Sequence, residues 1–273
     1  MLVLIRGAGD LASGIALRLF HAGFSVVMTD LPQPTAIRRT VSFSQALRFG
    51  KTTVEHVTAV LAQTKEDVQA ALEAGRIPVL ADPEAACARW LRPDALVDAI
   101  LAKRNLGTAI TDAPVVIGVG PGFTVGIDCH AVVETMRGHT LGRVIREGSA
   151  LPNTNIPGLI GGFAGERVLR APDDGIFRQK LEIGAMVAPG DVAGTVNEKP
   201  MVCTIAGVLR GILPDGTPVY KGMKSGDVDP RADEAACHTA SDKAIAIGGG
   251  VLQAILEYTG VLRGVRGQNT LGR

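Results

Sequence analysis

The residues with the clearest chemical promise lie near the start of the chain, in IRGAGDLASG. Gly7, Gly9 and Ala12 follow a G-x-G-x-x-A pattern: Gly7 permits a tight turn, Gly9 lets the backbone approach a ligand, and Ala12 lets a helix pack close to a strand. Unpaired N–H groups at the start of that helix favour an anion. Asp30 comes 21 residues after Gly9, at the end of a second apolar run, where a ribose-binding carboxylate would sit. The chemistry indicated is binding of a nucleotide such as NAD(P); the alternative is a strand-to-helix corner with no ligand. Asp10 complicates the first reading, because two like charges within about 4 Å repel by several kcal/mol in a partly buried site. Either Asp10 restricts the ligand to an altered pose or a divalent ion, or it caps the helix and occupies the anion site itself. Arg6 is placed to compensate it or to pair with it.

A second glycine-rich stretch, GVGPGF, again follows an apolar run, so Gly118, Gly120 and Gly122 could form a backbone nest for an oxyanion. A tight turn fixed by Pro121 is the competing reading. Catalytic sets are sparse: there is no nucleophile elbow, no HExxH, and His56, His130, His139 and His238 are isolated. Two weaker clusters are Asp98 with Lys103, and Glu134 with Arg137 and His139. Lys199 reads as a surface lysine. The adjacent pairs Cys129-His130 and Cys237-His238 are poor chelates, since strand neighbours point to opposite faces, and no metal site is expected.

The elements that must position these residues follow from hydrophobic patterning. The 273 residues are 46% hydrophobic and 20% charged with a formal net charge of +1, a globular balance that calls for neither nucleic acid nor an anionic membrane. With no apolar run of about 20 residues and four scattered cysteines, a cytoplasmic location with free thiols is expected. LVLIRG and FSVVMTD read as buried strands flanking a helix, a βαβ unit. VEHVTAVLA, IPVLAD and APVVIGVG read as further strands, TKEDVQAALEAG as a capped helix and ALVDAIL as strand or helix. This alternation predicts an α/β chain with a Rossmann-like doubly wound parallel sheet, followed by a smaller mostly-β domain resembling a barrel-sandwich hybrid. The expected boundaries are 1–128 for the first domain, 129–171 for a hairpin and connection, 172–232 for the β domain and 233–273 for a helical segment and loose tail.

The β domain is suggested by an internal repeat. Gly175, Val187 and Gly190 recur as Gly207, Val219 and Gly222, a period of 32 residues in which each copy reads turn, strand, turn, strand. Further on, Ser241 can cap a helix. Three consecutive glycines at 248–250 would each weaken that helix by about 1 kcal/mol relative to alanine, which suggests a loop between two short helices or a close backbone approach.

IRGAGDLASGIALRLFHAGFSVVMTDLPQPTAIRRTVSF, VDAILAKRNLGT, IGVGPGFTVG, ETMRGHTLGRVI, GVLRGILPDGTPVYKGMKSGDVDPR and SDKAIAIGGGVLQAIL together resemble the YqeB-type accessory proteins of the selenium-dependent molybdenum hydroxylase system. The N-terminal part is similar to the Rossmann half of XdhC-type proteins, which assist insertion of the molybdenum cofactor. The resemblance implies an accessory role in maturation of xanthine dehydrogenase-like enzymes, with a nucleotide or the molybdopterin cofactor at the two glycine loops. Its partners would be the apo-hydroxylase or other cofactor-insertion proteins, or a second copy of the chain. His238 and Ala240 depart from the more apolar pair expected there, and Cys129 stands at a variable position. A competing expectation is an NAD(P)-dependent oxidoreductase, with Arg38 and Arg39 on a 2′-phosphate and Asp98 or Lys103 handling a proton. A noncatalytic scaffold is the third.

Overall fold

A computed structural model describes residues 1–154 and 157–261. Most of the tail, VLRGVRGQNTLGR, lies outside the described residues. The first strand, β1 (Leu2–Arg6), leads through α1 (Asp10–His21) to β2 (Ser25–Asp30). After a long loop come α2 (Ala46–Phe49), β3 (Lys51–Val54), β4 (Val57–Leu61), α3 (Lys65–Glu73), β5 (Ile77–Ala81), α4 (Ala88–Leu91) and β6 (Ala95–Asp98). Then β7 (Val115–Val119), β8 (Ala131–Val133) and β9 (Val144–Ile145) complete one nine-stranded sheet. Its order is β3-β4-β5-β2-β1-β6-β7-β8-β9.

This architecture corrects the expected Rossmann-like, doubly wound parallel sheet. The sheet is mixed: β3 and β9 run antiparallel to β4 and β8 at its two edges. VEHVTAVLA is not one strand but the far arm of a hairpin, turned at Glu55 and His56, both at positive φ as a two-residue hairpin loop requires. Nor is it wound strand by helix, because the connections from β6 to β7 and from β7 to β8 contain no helix. In place of such a crossover, the C-terminal helix α5 (Asp242–Thr259) returns and packs on α1 and β7.

Alternation within the strands explains the core. Val3, Ile5, Met28, Val97 and Ile117 face α1 and α5, while Leu4, Val27, Leu96 and Val116 face the opposite layer with Val68 of α3. Burial on both faces is why LVLI carries no polar alternation. The helix α3 starts as its sequence predicts, with Thr64 and Asp67 forming a reciprocal capping box.

Residues 248–250 lie inside α5, which is a single helix rather than two. The close-approach reading explains them: a Cβ on Gly250 would come 2.1 Å from the Gly142 carbonyl oxygen, and one on Gly248 would meet Gly14 O at 3.0 Å. Gly249 is exposed and has nothing within 4 Å of that position. Gly249→Ala should therefore stabilise the protein, by up to about 1 kcal/mol of helix propensity, whereas Gly250→Ala should destabilise it despite the same propensity gain. Thermal unfolding of the two variants checks this opposition in sign.

The remaining strands are β10 (Val168–Arg170), β11 (Gly175–Gln179), β12 (Met186–Val187), β13 (Val192–Val196), β14 (Lys199–Val202), β15 (Gly207–Ile212), β16 (Pro218–Val219) and β17 (Lys224–Asp229). They make two four-stranded antiparallel sheets, β10-β17-β15-β12 and β14-β13-β11-β16, rather than the single small hybrid domain expected. The repeat appears as an exchange: Gly175 of the first copy pairs with Val219 of the second, and Gly207 of the second with Val187 of the first. Both glycines sit at positive φ, and a Cβ on Gly207 would lie 2.2 Å from the Asp229 carbonyl oxygen. Phe177, Val196, Leu209, Ile212 and Val228 fill the core between these sheets.

The loop after β2 joins the two parts. Ile212 N donates to Ile37 O at 2.8 Å, and Arg39 Nε donates to Ile212 O at 2.9 Å. At its other end, Ser44 N donates to Ala8 O in the glycine turn. Among the described residues, no helix is long and apolar enough to cross a membrane.

Candidate functional site

The glycine turn opens onto a cleft of about 690 Å³, walled by Gly7, Gly9, Ala12, Thr29, Asp30, Leu101 and Lys224. Gly7 and Gly9 differ in what holds them. Gly7 has φ of +109°, and a Cβ there would stand 2.8 Å from the Ala99 carbonyl oxygen, so the fold itself demands glycine. Gly9 is the N-cap of α1 at φ −70°, ψ −175°, a conformation open to any residue, and nothing lies within 4 Å of a Cβ built on it. Its missing side chain leaves space in the cleft and relieves no contact within the protein.

Asp30 clamps the turn. Its Oδ2 accepts from Ala8 N at 2.9 Å and its Oδ1 from Leu31 N at 2.7 Å. Burial raises its pKa, and these two N–H bonds partly offset that. Each carboxylate oxygen retains lone-pair capacity for a hydroxyl or N–H donor in the cleft. Beside it, Thr29 Oγ1 is buried with no hydrogen-bond partner.

Asp10 is the first helical residue, and no side-chain bond caps α1. Its carboxylate lies 3.7 Å from Arg38 Nη1. Arg6 does not pair with it: the guanidinium is buried beneath the cleft floor, 3.4 Å from Asp98 Oδ2 and bonded to Thr108 Oγ1 and the Pro83 and Leu106 carbonyls. Thr108 also donates to Asp98 at 2.6 Å, so Asp98 is a buried acceptor in a closed network and not a placed base. Arg38 and Arg39 face the antiparallel sheets. Arg38 Nη2 donates to Ala236 O and Thr239 O, and Arg39 bonds Ile212 O and Gln179. Neither is disposed toward a 2′-phosphate beside Asp30.

The second glycine loop is held by packing. A Cβ on Gly118 would strike the Phe123 ring, one on Gly120 the Thr135 hydroxyl at 2.8 Å, and one on Gly122 the Arg104 backbone at 2.5 Å. The Gly120 N–H donates to Val133 O, and of this loop Pro121 reaches the cleft region. The structure does not bring Gly118, Gly120 and Gly122 to the same wall as Gly7 and Gly9. Glu134, Arg137 and His139 also have separate partners: Glu134 accepts from the Thr135, Met136 and Leu151 N–H groups, Arg137 pairs with Asp242, and His139 meets Arg143.

Adjoining this cleft, and sharing Asp10, Leu11 and Lys224 with it, is a second basin of about 690 Å³. Eight Arg and Lys side chains line it against one carboxylate, Asp10. Behind them lies a buried ion-pair network. Asp227 bonds both Arg167 and Arg210, and Asp229 bonds Arg210 at 3.1 Å and Arg231 at 2.6 Å. Sequence reasoning missed this basin; its signal was charge inside otherwise apolar strands, Arg210 in GVLRGI and Asp227 and Asp229 in KSGDVD.

Burial pushes the Asp229 carboxyl up, but Arg231 and Arg210 outweigh it and hold the pKa at about 2; the Arg137 bond holds Asp242 at about 2 as well. Both folded-state values lie below the ordinary aspartate value, so their contribution to stability is complete above pH 4 and is lost as pH falls toward 2. Thermal unfolding between pH 6 and pH 2 should show a decline confined to that acidic limb, shallower in Asp229→Asn. Among the described residues, no group of three or more His, Cys, Asp or Glu side chains could hold a metal ion.

No family model matches the chain. Its sequence is 52% identical over 255 residues to the uncharacterized protein YqeB of Escherichia coli (strain K12), covering 93% of this chain and 47% of that protein. The chain is YqeB-like in sequence. It spans about half the length of that relative. Among solved structures it is similar to a succinylglutamate desuccinylase/aspartoacylase from Rhodobacter sphaeroides, at 18% identity, 50% of this chain, 58% of that one and a TM-score of 0.23. It is also similar to an aspartoacylase family protein from Mesorhizobium loti, at 12% identity, 83% of each chain and a TM-score of 0.25. At such scores neither likeness carries a functional assignment. The expected XdhC-like, Rossmann-type N-terminal part is corrected by the mixed sheet.

Proposed function

We propose that this YqeB-like chain is a cofactor-binding accessory protein whose glycine-turn cleft holds a nucleotide or another phosphate-bearing cofactor. The observation that carries the reading is Gly9, a glycine that the fold does not need, opening onto the cleft beside the half-satisfied Asp30 carboxylate. The residues suit such a ligand: Asp30 accepts from a sugar hydroxyl or a heterocycle N–H, and the first turn of α1 and Lys224 meet a phosphate. The wider role, supported by the sequence resemblance alone, is maturation or cofactor insertion for molybdenum hydroxylases of the selenium-dependent system, with the apo-hydroxylase as partner. The NAD(P)-dependent oxidoreductase reading is less well supported, because Arg38, Arg39 and Asp98 are committed elsewhere.

Calorimetric titration with NADH, NADPH, ATP, CTP and a pterin phosphate tests the binding. At least one should bind at micromolar concentration; none binding at millimolar concentration refutes the cleft as a ligand site. Asp10→Asn should strengthen that binding several-fold by removing a like charge at the phosphate, at some cost in stability because the buried Arg38 loses its carboxylate neighbour. A hydroxylase purified from cells lacking this protein tests the role; full cofactor loading would sink it.

A further inference from the structure

We propose that the basin beside the glycine-turn cleft is a binding site for a compact polyphosphate-class anion, gripped by Lys224 and Lys243. The proposal deepens the cofactor-binding reading and rests on it only for what the anion is attached to.

Three observations converge. The first is the charge balance: eight cationic side chains line the basin, of which Lys103 has a partner of its own, and the carboxylates near the other seven are Asp10, Glu134, Asp227, Asp229 and Asp242. Asp229 is further shared with Arg231 from outside the basin. Like charges held together in a concave site focus a positive potential of several kT. The second is which cations are spent. Arg167 and Arg210 are tied to Asp227, Arg137 to Asp242, and Arg170 donates to Gly222 O. Lys224 and Lys243 have no hydrogen bond or ion pair among the described residues. Both ammonium groups are desolvated by the protein around them, which lowers their pKa values, although the Lys224 side chain remains reachable from solvent through the cleft. The third is Arg38, 6% exposed and lining the basin, whose buried Nε–H has no partner.

Charge favours a polyphosphate over a single small anion. Lys224 enters from the first residue of β17 and Lys243 from the first turn of α5, beside the Ser241 cap, so the two amines belong to different parts of the fold. Lys224 also lines the glycine-turn cleft. An anion meeting both amines lies in the basin, where Lys224 acts on Lys243, and through Lys224 and Asp10 it borders the glycine-turn cleft. A chain of two or three phosphates supplies that reach together with enough negative charge to answer the unspent cations.

Thermal-shift and calorimetric titrations of the full chain with tripolyphosphate, pyrophosphate and inorganic phosphate, against sodium chloride at matched ionic strength, test the site. Tripolyphosphate should raise Tm and bind at least tenfold tighter than phosphate. Lys224→Gln and Lys243→Gln should each weaken it at least tenfold while the ligand-free variants stay folded with Tm close to wild type, since each lysine trades attraction to Asp10 and its neighbouring carboxylates against repulsion by nearby cations. No shift beyond the chloride control, or wild-type affinity in both variants, overturns the proposal. Comparison of a nucleoside, its triphosphate and tripolyphosphate then separates the sources. If the triphosphate binds tightest and Gly9→Thr removes only that advantage, the anion is part of the cleft ligand; if it equals tripolyphosphate, the polyanion is a separate molecule. Loss of nucleoside binding with tripolyphosphate binding intact is failure of the cleft reading alone.

Discussion

Asp227→Asn should lower the unfolding free energy by about 3–5 kcal/mol, the cost of removing one partner from a buried ion pair. Asp227 is 1% exposed and answers two guanidinium groups, Arg167 and Arg210, which are themselves buried. Taking its charge away leaves Arg167 with no carboxylate and Arg210 with Asp229 alone. Asp229→Asn should cost less, because Arg210 keeps Asp227 and Arg231 is more than half exposed and can turn to water. Arg167→Met in the Asp227→Asn background should recover part of the loss, since a buried cation without a partner costs more than an apolar side chain. Urea unfolding at neutral pH measures all three; a loss below about 1 kcal/mol for Asp227→Asn would mean that water reaches the network.

The second large effect separates two glycines two residues apart. Gly9→Thr should leave Tm unchanged within error, because threonine is about as good an N-cap as glycine, the backbone is already extended, and nothing crowds its Cβ. The same change should reduce ligand affinity at least tenfold, about 1.4 kcal/mol, by filling the space beside Asp30. Gly7→Ala should do the reverse, destabilising the fold by about 1–3 kcal/mol through its left-handed φ and the Ala99 contact. Melting curves and titrations on the two variants give a crossed pattern. If Gly9→Thr binds as wild type, the turn is a corner and the space beside it is idle.

How much of this was legible in the sequence depended on how local the cause was. The β1–α1–β2 unit, the α3 capping box and the spacing of Gly9 to Asp30 are set by neighbours within a few turns, and each reads directly. The glycine triplet did not, because a propensity cost of about 1 kcal/mol per residue is overridden by packing against Gly14 and Gly142, more than 100 residues away. The antiparallel edge at β3 depends on a two-residue turn at Glu55 and His56, which lacks the usual Asn or Gly. The cationic basin draws on residues from 10 to 243 with no common period, so only the topology assembles it. Arg39 illustrates the same limit: near the expected ligand in sequence, it is drawn away by the Ile212 carbonyl and Gln179 of the antiparallel sheets.

The strand exchange between the two 32-residue copies bears on how such a chain arises. Each copy starts a strand that its own residues pair on one edge, β11 with β13 and β15 with β17, and that the other copy pairs on the other edge, Gly175 with Val219 and Gly207 with Val187. One copy alone is half of a self-complementary object with open strand edges, and two such halves released as separate peptides meet in a two-fold symmetric pair. The present arrangement is such a half written twice into a single polypeptide, with the symmetry broken where Asp227, Asp229 and Arg210 form the buried ion-pair network behind the basin.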